Sequence, residues 1–445
     1  MPKLAINGGP KIREHLFPSQ NTMGEREMDA VTRVMKEGRL SGYRGSWCPE
    51  FFGGPEIQAL EKEWKQKFNV KHAIAVNSCT SGLHVACGAV GLKPNDEVIV
   101  TPYSMTCSAT APMIYGAIPV FADVEYNNYC IDPKSVEERI TEKTKAIIAV
   151  SIFGQPYDIK INEIARDHNL FVIEDAAQAL GSYYKNYAQM EISHEFKRQP
   201  APLFYAGTLG DIGVYSFNYG KHINCGEGGM IVTNDDNLAM RCRLIANHAE
   251  AVVNDMQDKQ FLVLGMNYPG NLVGFNMRMT ELQAAVLRVQ LQKLDSLQKQ
   301  RTKNVKYFEN RLCEIPAIET STTRKDCTHV NYVLAFKWHK EKADGLHRDK
   351  FIAAVKAELT GRHDRDGEGV PIGCGYIKPL YLMPLFQNKK EKYVSYRKGI
   401  CPVVEKLYEE ELFLTLYHAP NSRIEDCKNV TEAFFKVWTY REELL

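Results

Sequence analysis

Phe171-Val-Ile-Glu-Asp-Ala-Ala-Gln178 opens on three bulky apolar residues and closes on two acids followed by small residues and a glutamine. Such a run reads as a short buried strand whose end carries polar chemistry, because it does not alternate between core and solvent. Similar runs lie on either side of it, at 72–76, 97–101, 118–122, 146–151, 213–217 and 230–233. Helix-length segments separate most of them. That alternation predicts βαβ units, and with them a mostly parallel sheet covered by helices on both faces, a three-layer α/β/α domain. Ligands of such sheets bind at the carboxyl ends of the strands.

Farther along, residues 280–306 contain neither Pro nor Gly and place apolar side chains at Leu282, Ala285, Val286, Val289, Leu291, Leu294 and Leu297. This spacing predicts a long helix leading out of the first domain. Beyond it, strand-like 330–338 and helix-like 348–358 and 430–443 predict a smaller α+β domain, so the expected division is 1–295 and 296–445. Two stretches read as loops added to this plan, 185–208 and the polar, Gly-rich 360–369. Each is either a tolerated surface insertion or a substrate lid.

Lys and Arg total 55 against 54 Asp and Glu in 445 residues. No net field favours nucleic acid or an anionic membrane as a partner, and the expected ligand is small. The amino-terminal MPKLAINGGPKIREH lacks a continuous apolar segment, and no 18-residue apolar stretch occurs elsewhere, so a cytoplasmic location is expected. The 12 cysteines are scattered without a C-x-x-C pair. Reduced thiols fit that pattern better than a disulfide framework or a zinc site, and no metal is expected.

Three segments carry candidate chemistry. Asn77-Ser-Cys-Thr-Ser-Gly-Leu-His84 follows a strand-like run and precedes a small-residue helix. A Ser/Thr-rich turn at a helix start offers free amides and the positive end of the dipole to a phosphate, with Thr80 adding a hydroxyl. The ordinary alternative is a capped helix that binds nothing. Just after the strand-like run 171–174, Asp175 is placed to hold a proton on a heterocyclic nitrogen, with Gln178 reaching a second polar edge of that ring; capping the next helix is the alternative. In Val214-Tyr-Ser-Phe-Asn-Tyr-Gly-Lys-His-Ile-Asn-Cys-Gly-Glu-Gly-Gly229, Lys221 sits between an apolar strand and a glycine-rich turn. Partly desolvated there, its amine is able to form a Schiff base, whereas a solvated loop lysine does no chemistry. Phosphate turn, strand-end acid and strand-end lysine fall at one edge of one inferred sheet.

With these residues in place, the chain resembles the sugar aminotransferases of the DegT/DnrJ/EryC1/StrS group. The resemblance runs from LAINGGP and Gly38-Arg-Leu-Ser-Gly42 through NSCTSGL, GLKPNDEVIVTPYS, GAIPVFADVE, TKAIIAVSIFGQP and VIEDAAQALG to GDIGVYSFNYGKHINCGEGG and GFNMRMTELQAA. It implies the fold type I architecture of pyridoxal-phosphate (PLP) enzymes, with the cofactor alternating with its pyridoxamine form. It further implies that Lys221 carries the cofactor and moves protons, that Asp175 keeps the pyridine nitrogen protonated, and that Gln178 lies near the phenolic oxygen. Thr80, the main chain at Cys79, and Ser216 match the phosphate cradle. Asn276 in GFNMR matches an asparagine that reaches the phosphate from a neighbouring subunit, which implies a homodimer with shared sites.

The departures concentrate where the acceptor is expected to bind. Met105 stands where many members place an aromatic residue over the ring; it either covers the ring or fills core. Asn218 replaces a common histidine, Ala249 follows His248 where glycine is usual, and Tyr381 in KPLY replaces a frequent histidine. Weaker candidates for substrate contact are His222, His329 with Tyr332, and Lys378, each with a plain structural alternative. Cys79 and Cys225 are expected near the cofactor, so bulky thiol reagents should inhibit. The implied reaction is amino transfer from glutamate or glutamine to a keto-sugar, nucleotide-linked, for amino-sugar biosynthesis. Transfer to a keto-cyclitol is the runner-up. Sugar dehydration ranks lower because relatives with that activity replace the cofactor lysine by histidine, and a non-catalytic scaffold ranks lower still.

Overall fold

The structure is a computed structural model that describes residues 3–46, 48–185, 203–249, 272–364, 366–388 and 395–445. Its first nine strands are β1 (His72–Val76), β2 (Glu97–Val100), β3 (Ile118–Phe121), β4 (Thr144–Val150), β5 (Phe171–Asp175), β6 (Tyr183–Lys185), β7 (Leu203–Tyr205), β8 (Ile212–Ser216) and β9 (Gly229–Thr233). Seven of them form a sheet in the order β1-β9-β8-β5-β4-β2-β3. β9 runs antiparallel to both neighbours while the other pairings are parallel. Burial is continuous along β2, β8 and β9 rather than alternating, which is the physical reason these strands are apolar throughout: helices cover both faces. The seven expected runs all became strands, each within one or two residues of its expected ends. β6 and β7 form a separate antiparallel hairpin at the rims of the expected 185–208 insertion, of which 186–202 lies outside the described residues.

Register brings several strand ends together. Val150 pairs with Asp175, and Asp175 with Val214, so β8 continues two residues past Asp175 to Ser216. Val76 and Ser216 flank Gly229 from its two sides. The turn after β1 and the end of β8 therefore meet at one edge.

The helix Glu281–Leu312 starts on Thr280, whose hydroxyl accepts from the Gln283 amide while the Gln283 side chain accepts from the Thr280 amide. At 1.5 Å per residue its 32 residues span about 48 Å. Ala284, Leu287, Leu291 and Leu294 pack into one core with β1, β8 and β9, whereas Val305, Phe308 and Leu312 pack into another. The second core covers a sheet of β10 (Ile318–Thr320), β11 (Leu334–Trp338), β12 (Ile372–Cys374) and β13 (Leu412–Thr415), antiparallel in the order β10-β11-β13-β12. Leu4 and Phe17, expected in the first domain, lie in this second core.

The strand expected over 330–338 begins only at Leu334. Upstream, the Val330 and Tyr332 amides donate to the carbonyls of Gly154 and Phe153, both at 2.8 Å, in the loop after β4. Gly154 is required there, because a Cβ would lie 2.7 Å from the Asn331 nitrogen and its φ is +119°. This docking carries Tyr332 toward the strand ends of the first sheet. Among the described residues no helix is long and apolar enough to cross a membrane, no His/Cys/Asp/Glu group is arranged for a metal, and all 12 cysteines are free thiols.

Candidate active site

Asp175 ends β5 and is 3 % exposed. Burial pushes its carboxyl above the ordinary range, and the groups around it pull it back. Ser108 Oγ donates to one carboxylate oxygen at 2.7 Å, the Ala177 amide donates to the other at 3.1 Å, and the Lys221 charge and the Cys79 thiol, 3.9 Å away, add to them. No helix starts between β5 and β6, so the helix-cap alternative does not apply. A buried carboxylate held by donors on its near side is suited to a cationic N–H in front of it.

The turn after β1 caps the helix Cys79–Ala89 through Ser78, whose Oγ accepts from the Ser81 amide at 3.0 Å. That leaves the first-turn amides of Cys79 and Thr80 without intrahelical acceptors. The Asn77 side-chain oxygen nearby is buried with no hydrogen-bond partner among the described residues. Gly229 presses against this turn: a Cβ there would stand 2.6 Å from the Ser78 carbonyl carbon and 2.8 Å from the Cys79 nitrogen. Ser216 follows on the adjacent strand, 7 % exposed. Amide and hydroxyl donors thus gather at the edge where Asp175 lies, an arrangement that fits a phosphorylated heterocycle.

Lys221 sits in the turn after β8, where its amide donates to the Asn218 carbonyl at 2.9 Å, and it is half-buried. Its Nζ lies 4.3 Å from the centroid of the Tyr332 ring. Both residues line a cleft together with His222, Arg301, Arg362 and Asp364. His222 is buried, and burial, followed by the Arg301 and Lys221 charges, holds its imidazole neutral. Among the described residues neither of its ring nitrogens has a well-aligned partner, although the Val330 carbonyl lies close.

The other expected residues are distributed as follows. Gln178 accepts from the Phe153 amide and donates to the Tyr376 hydroxyl, both at 2.9 Å, so these two partners hold it in one orientation. Met105 is 53 % exposed, which removes the core-filling alternative. Asn276 is exposed, bridges Asn247, and is not among the residues that line the cleft. His329 is tied to its own backbone, its Nδ1 accepting from the Asn331 amide at 2.9 Å; burial lowers it to about 4, and it does not line the cleft. Lys378 is exposed and outside the cleft. Burial raises Cys79, and raises Cys225 to about 12, so neither is a ready thiolate for the reagents expected to attack them. Sequence reasoning did not single out Ser108, Arg301, or the Arg362 and Asp364 pair. The last two belong to the expected 360–369 loop, of which residue 365 lies outside the described residues. That loop reaches the cleft rather than standing off as surface.

Residues 22–435 match the model of the DegT/DnrJ/EryC1/StrS aminotransferase family. The spore coat polysaccharide biosynthesis protein SpsC of Bacillus subtilis is 32% identical over 426 residues, covering 95% of this chain and 97% of that protein. A Micromonospora echinospora protein, named provisionally as an L-glutamine:3-amino-2,3-dideoxy-scyllo-inosose aminotransferase, is 30% identical over 427 residues, 94% of this chain and 88% of its own length. Among solved structures, NtdA of Bacillus subtilis with bound cofactor PMP superposes with a TM-score of 0.73 at 25% identity, covering 96% of this chain and 87% of that one. By the extent of the family match and by its fold, the chain belongs to the DegT/DnrJ/EryC1/StrS aminotransferase family and is a PLP-dependent aminotransferase.

Proposed function

We propose that this aminotransferase moves an amino group from glutamate or glutamine to a nucleotide-linked keto-sugar, acting as a cytoplasmic homodimer in which Asn276 of each chain completes the other's site. The observation that carries this reading is the half-buried Lys221 in a cleft, within the field of Asp175, at the edge where the 78–80 turn and Ser216 meet. Lys221 and Asp175 would hold the cofactor, with Gln178 at its ring, Met105 over it, and the Cys79 amide, Thr80 and Ser216 at its phosphate. When bound, PLP supplies an electron sink for the pair released at the substrate carbon.

The chain's own residues supply the rest. Asp175, kept an acceptor by Ser108 and the Ala177 amide, holds a proton on the nitrogen facing it. Lys221, as a free amine, is the base that moves a proton at the donor carbon. The Tyr332 ring, 4.3 Å from Nζ, limits where the side chain swings. Free cysteines suit a reducing compartment. The donor's keto acid leaves before the acceptor enters, as in double-displacement kinetics.

Purified protein should be yellow, glutamate or glutamine should bleach its visible band, and Lys221→Ala should fold without that band. A colourless wild type that takes up no PLP would end this reading. A keto-cyclitol acceptor is the second reading, favoured by the name of the Micromonospora echinospora relative. Turnover of a panel of nucleotide keto-sugars and keto-cyclitols separates the two: the better substrate class, by at least about tenfold, identifies the acceptor.

A further inference from the structure

We propose that Arg301 is the carboxylate-binding residue of the cleft and holds the amino donor through one of its carboxylates; this rests on the reading that the donor is glutamate or glutamine. Arg301 lies in the second half of the helix Glu281–Leu312 and is 7 % exposed. Its Nη1 donates to the Asn331 carbonyl at 3.3 Å. His418 Nε2 stands 3.5 Å from the same nitrogen, but it is already engaged with that carbonyl at 2.8 Å and is therefore a fellow donor. No other acceptor meets the guanidinium among the described residues. No carboxylate there comes within ion-pair distance of it either, although a cation so far removed from water ordinarily has an acid beside it. Burial accordingly holds it down to about 10.

The neighbouring charges sharpen the assignment. Arg362, on the same cleft, has Asp364 against it, Nε to Oδ1 at 3.3 Å. Lys221 has Asp175 within its field, whereas Arg301 has no such acid among the described residues and is the cation of this cleft left without a counter-charge. Neutral His222, on the same cleft and within the field of both, adds no counter-charge. Tyr332 stands beside both cations, 4.3 Å from Lys221 Nζ and close enough to Arg301 to bear on its charge.

The geometry of the substrate chooses between anions. An amino acid that reacts at Lys221 carries its α-carboxylate one bond from the reacting carbon, so that carboxylate must share a small cavity with the lysine. A nucleotide pyrophosphate is many bonds from the keto carbon and needs its cations farther out. The planar fork of a guanidinium matches a carboxylate with two parallel hydrogen bonds.

Phenylglyoxal labelling of wild-type holoenzyme, read by peptide mass spectrometry, tests the site directly. Arg301 should be labelled, and glutarate should slow its labelling about tenfold, whereas the uncharged diamide glutaramide should not. Failure of glutarate to protect, or no labelling of Arg301 at all, overturns the proposal. Rapid mixing supplies the second arm. Arg301→Gln should keep its visible band, yet need about ten- to a hundredfold more glutamate for half-maximal bleaching, with Arg301→Lys recovering part of the loss and the acceptor requirement unchanged. Wild-type glutamate affinity in Arg301→Gln, or a defect confined to the acceptor, also overturns it. Should wild type not be bleached by either donor, the proposed reaction fails, while the labelling experiment still decides the role of Arg301.

Discussion

Asp175 and Glu174 are adjacent on β5, point to opposite sides of the sheet, and are both buried, but their partners differ. Asp175 faces donors that favour its ionised form, of which Ser108 is the shortest contact. Ser108→Ala removes that donor and so raises the carboxyl. The acid limb of the donor half-reaction should then move to higher pH by about one unit; an unmoved profile would show that Ser108 does not tune this group. Glu174 is pushed up to about 7 by burial, against the Ser151 hydroxyl and the Gly207 and Leu209 amides. In the folded chain it therefore keeps a proton that the unfolded chain releases above the ordinary value of 4.5. Its contribution is fully present below that value and is lost as pH rises through about 7, by ~3 kcal/mol in all. Thermal melts of Glu174→Gln should show a flatter decline between pH 5 and 8 than wild type, and a parallel decline would remove Glu174 as its cause.

Strands and helices form from local pattern, and that pattern was readable: continuous apolar runs became strands of a doubly covered sheet, and the Pro- and Gly-free stretch became the helix Glu281–Leu312. Where the pattern misled, a long-range bond was responsible. Residues 330–332 have the composition of a strand, yet the amides of Val330 and Tyr332 are taken by Gly154 and Phe153, far earlier in the chain, so β11 starts late. Close approach between strand and turn is similarly invisible in a local window. The glycine that opens β9 looks like one of a Gly-rich run until Ser78 and Cys79 are seen against its Cα. Gly229→Ala should displace the 78–80 turn, weaken retention of PLP through dialysis about tenfold or more, and lower the melting temperature. Unchanged retention would mean that this turn does not hold the phosphate.

Asn276 is exposed and is not among the residues that line the cleft of its own chain. If it serves the neighbouring site, Lys221→Ala and Asn276→Asp should each be inactive alone, while a scrambled 1:1 mixture should recover about a quarter of wild-type activity, because half the dimers then carry one intact site. No recovery from mixed dimers confirmed by mass would assign Asn276 to its own chain.

Order along the chain was enough to determine the α/β plan, the strand-end position of Asp175, the place of Lys221 after a strand and the Ser/Thr-rich turn before a helix, because each depends on side-chain periodicity or on a turn of a few residues. Tertiary structure alone decided that Ser108 braces Asp175, that Tyr332 lies under Lys221, and that Arg301 and the 362–364 loop enter the same cleft. Residues separated by 67 to 143 positions meet there only through the packing of one long helix and two sheets. Backbone hydrogen bonds and burial across that distance have no counterpart in local spacing.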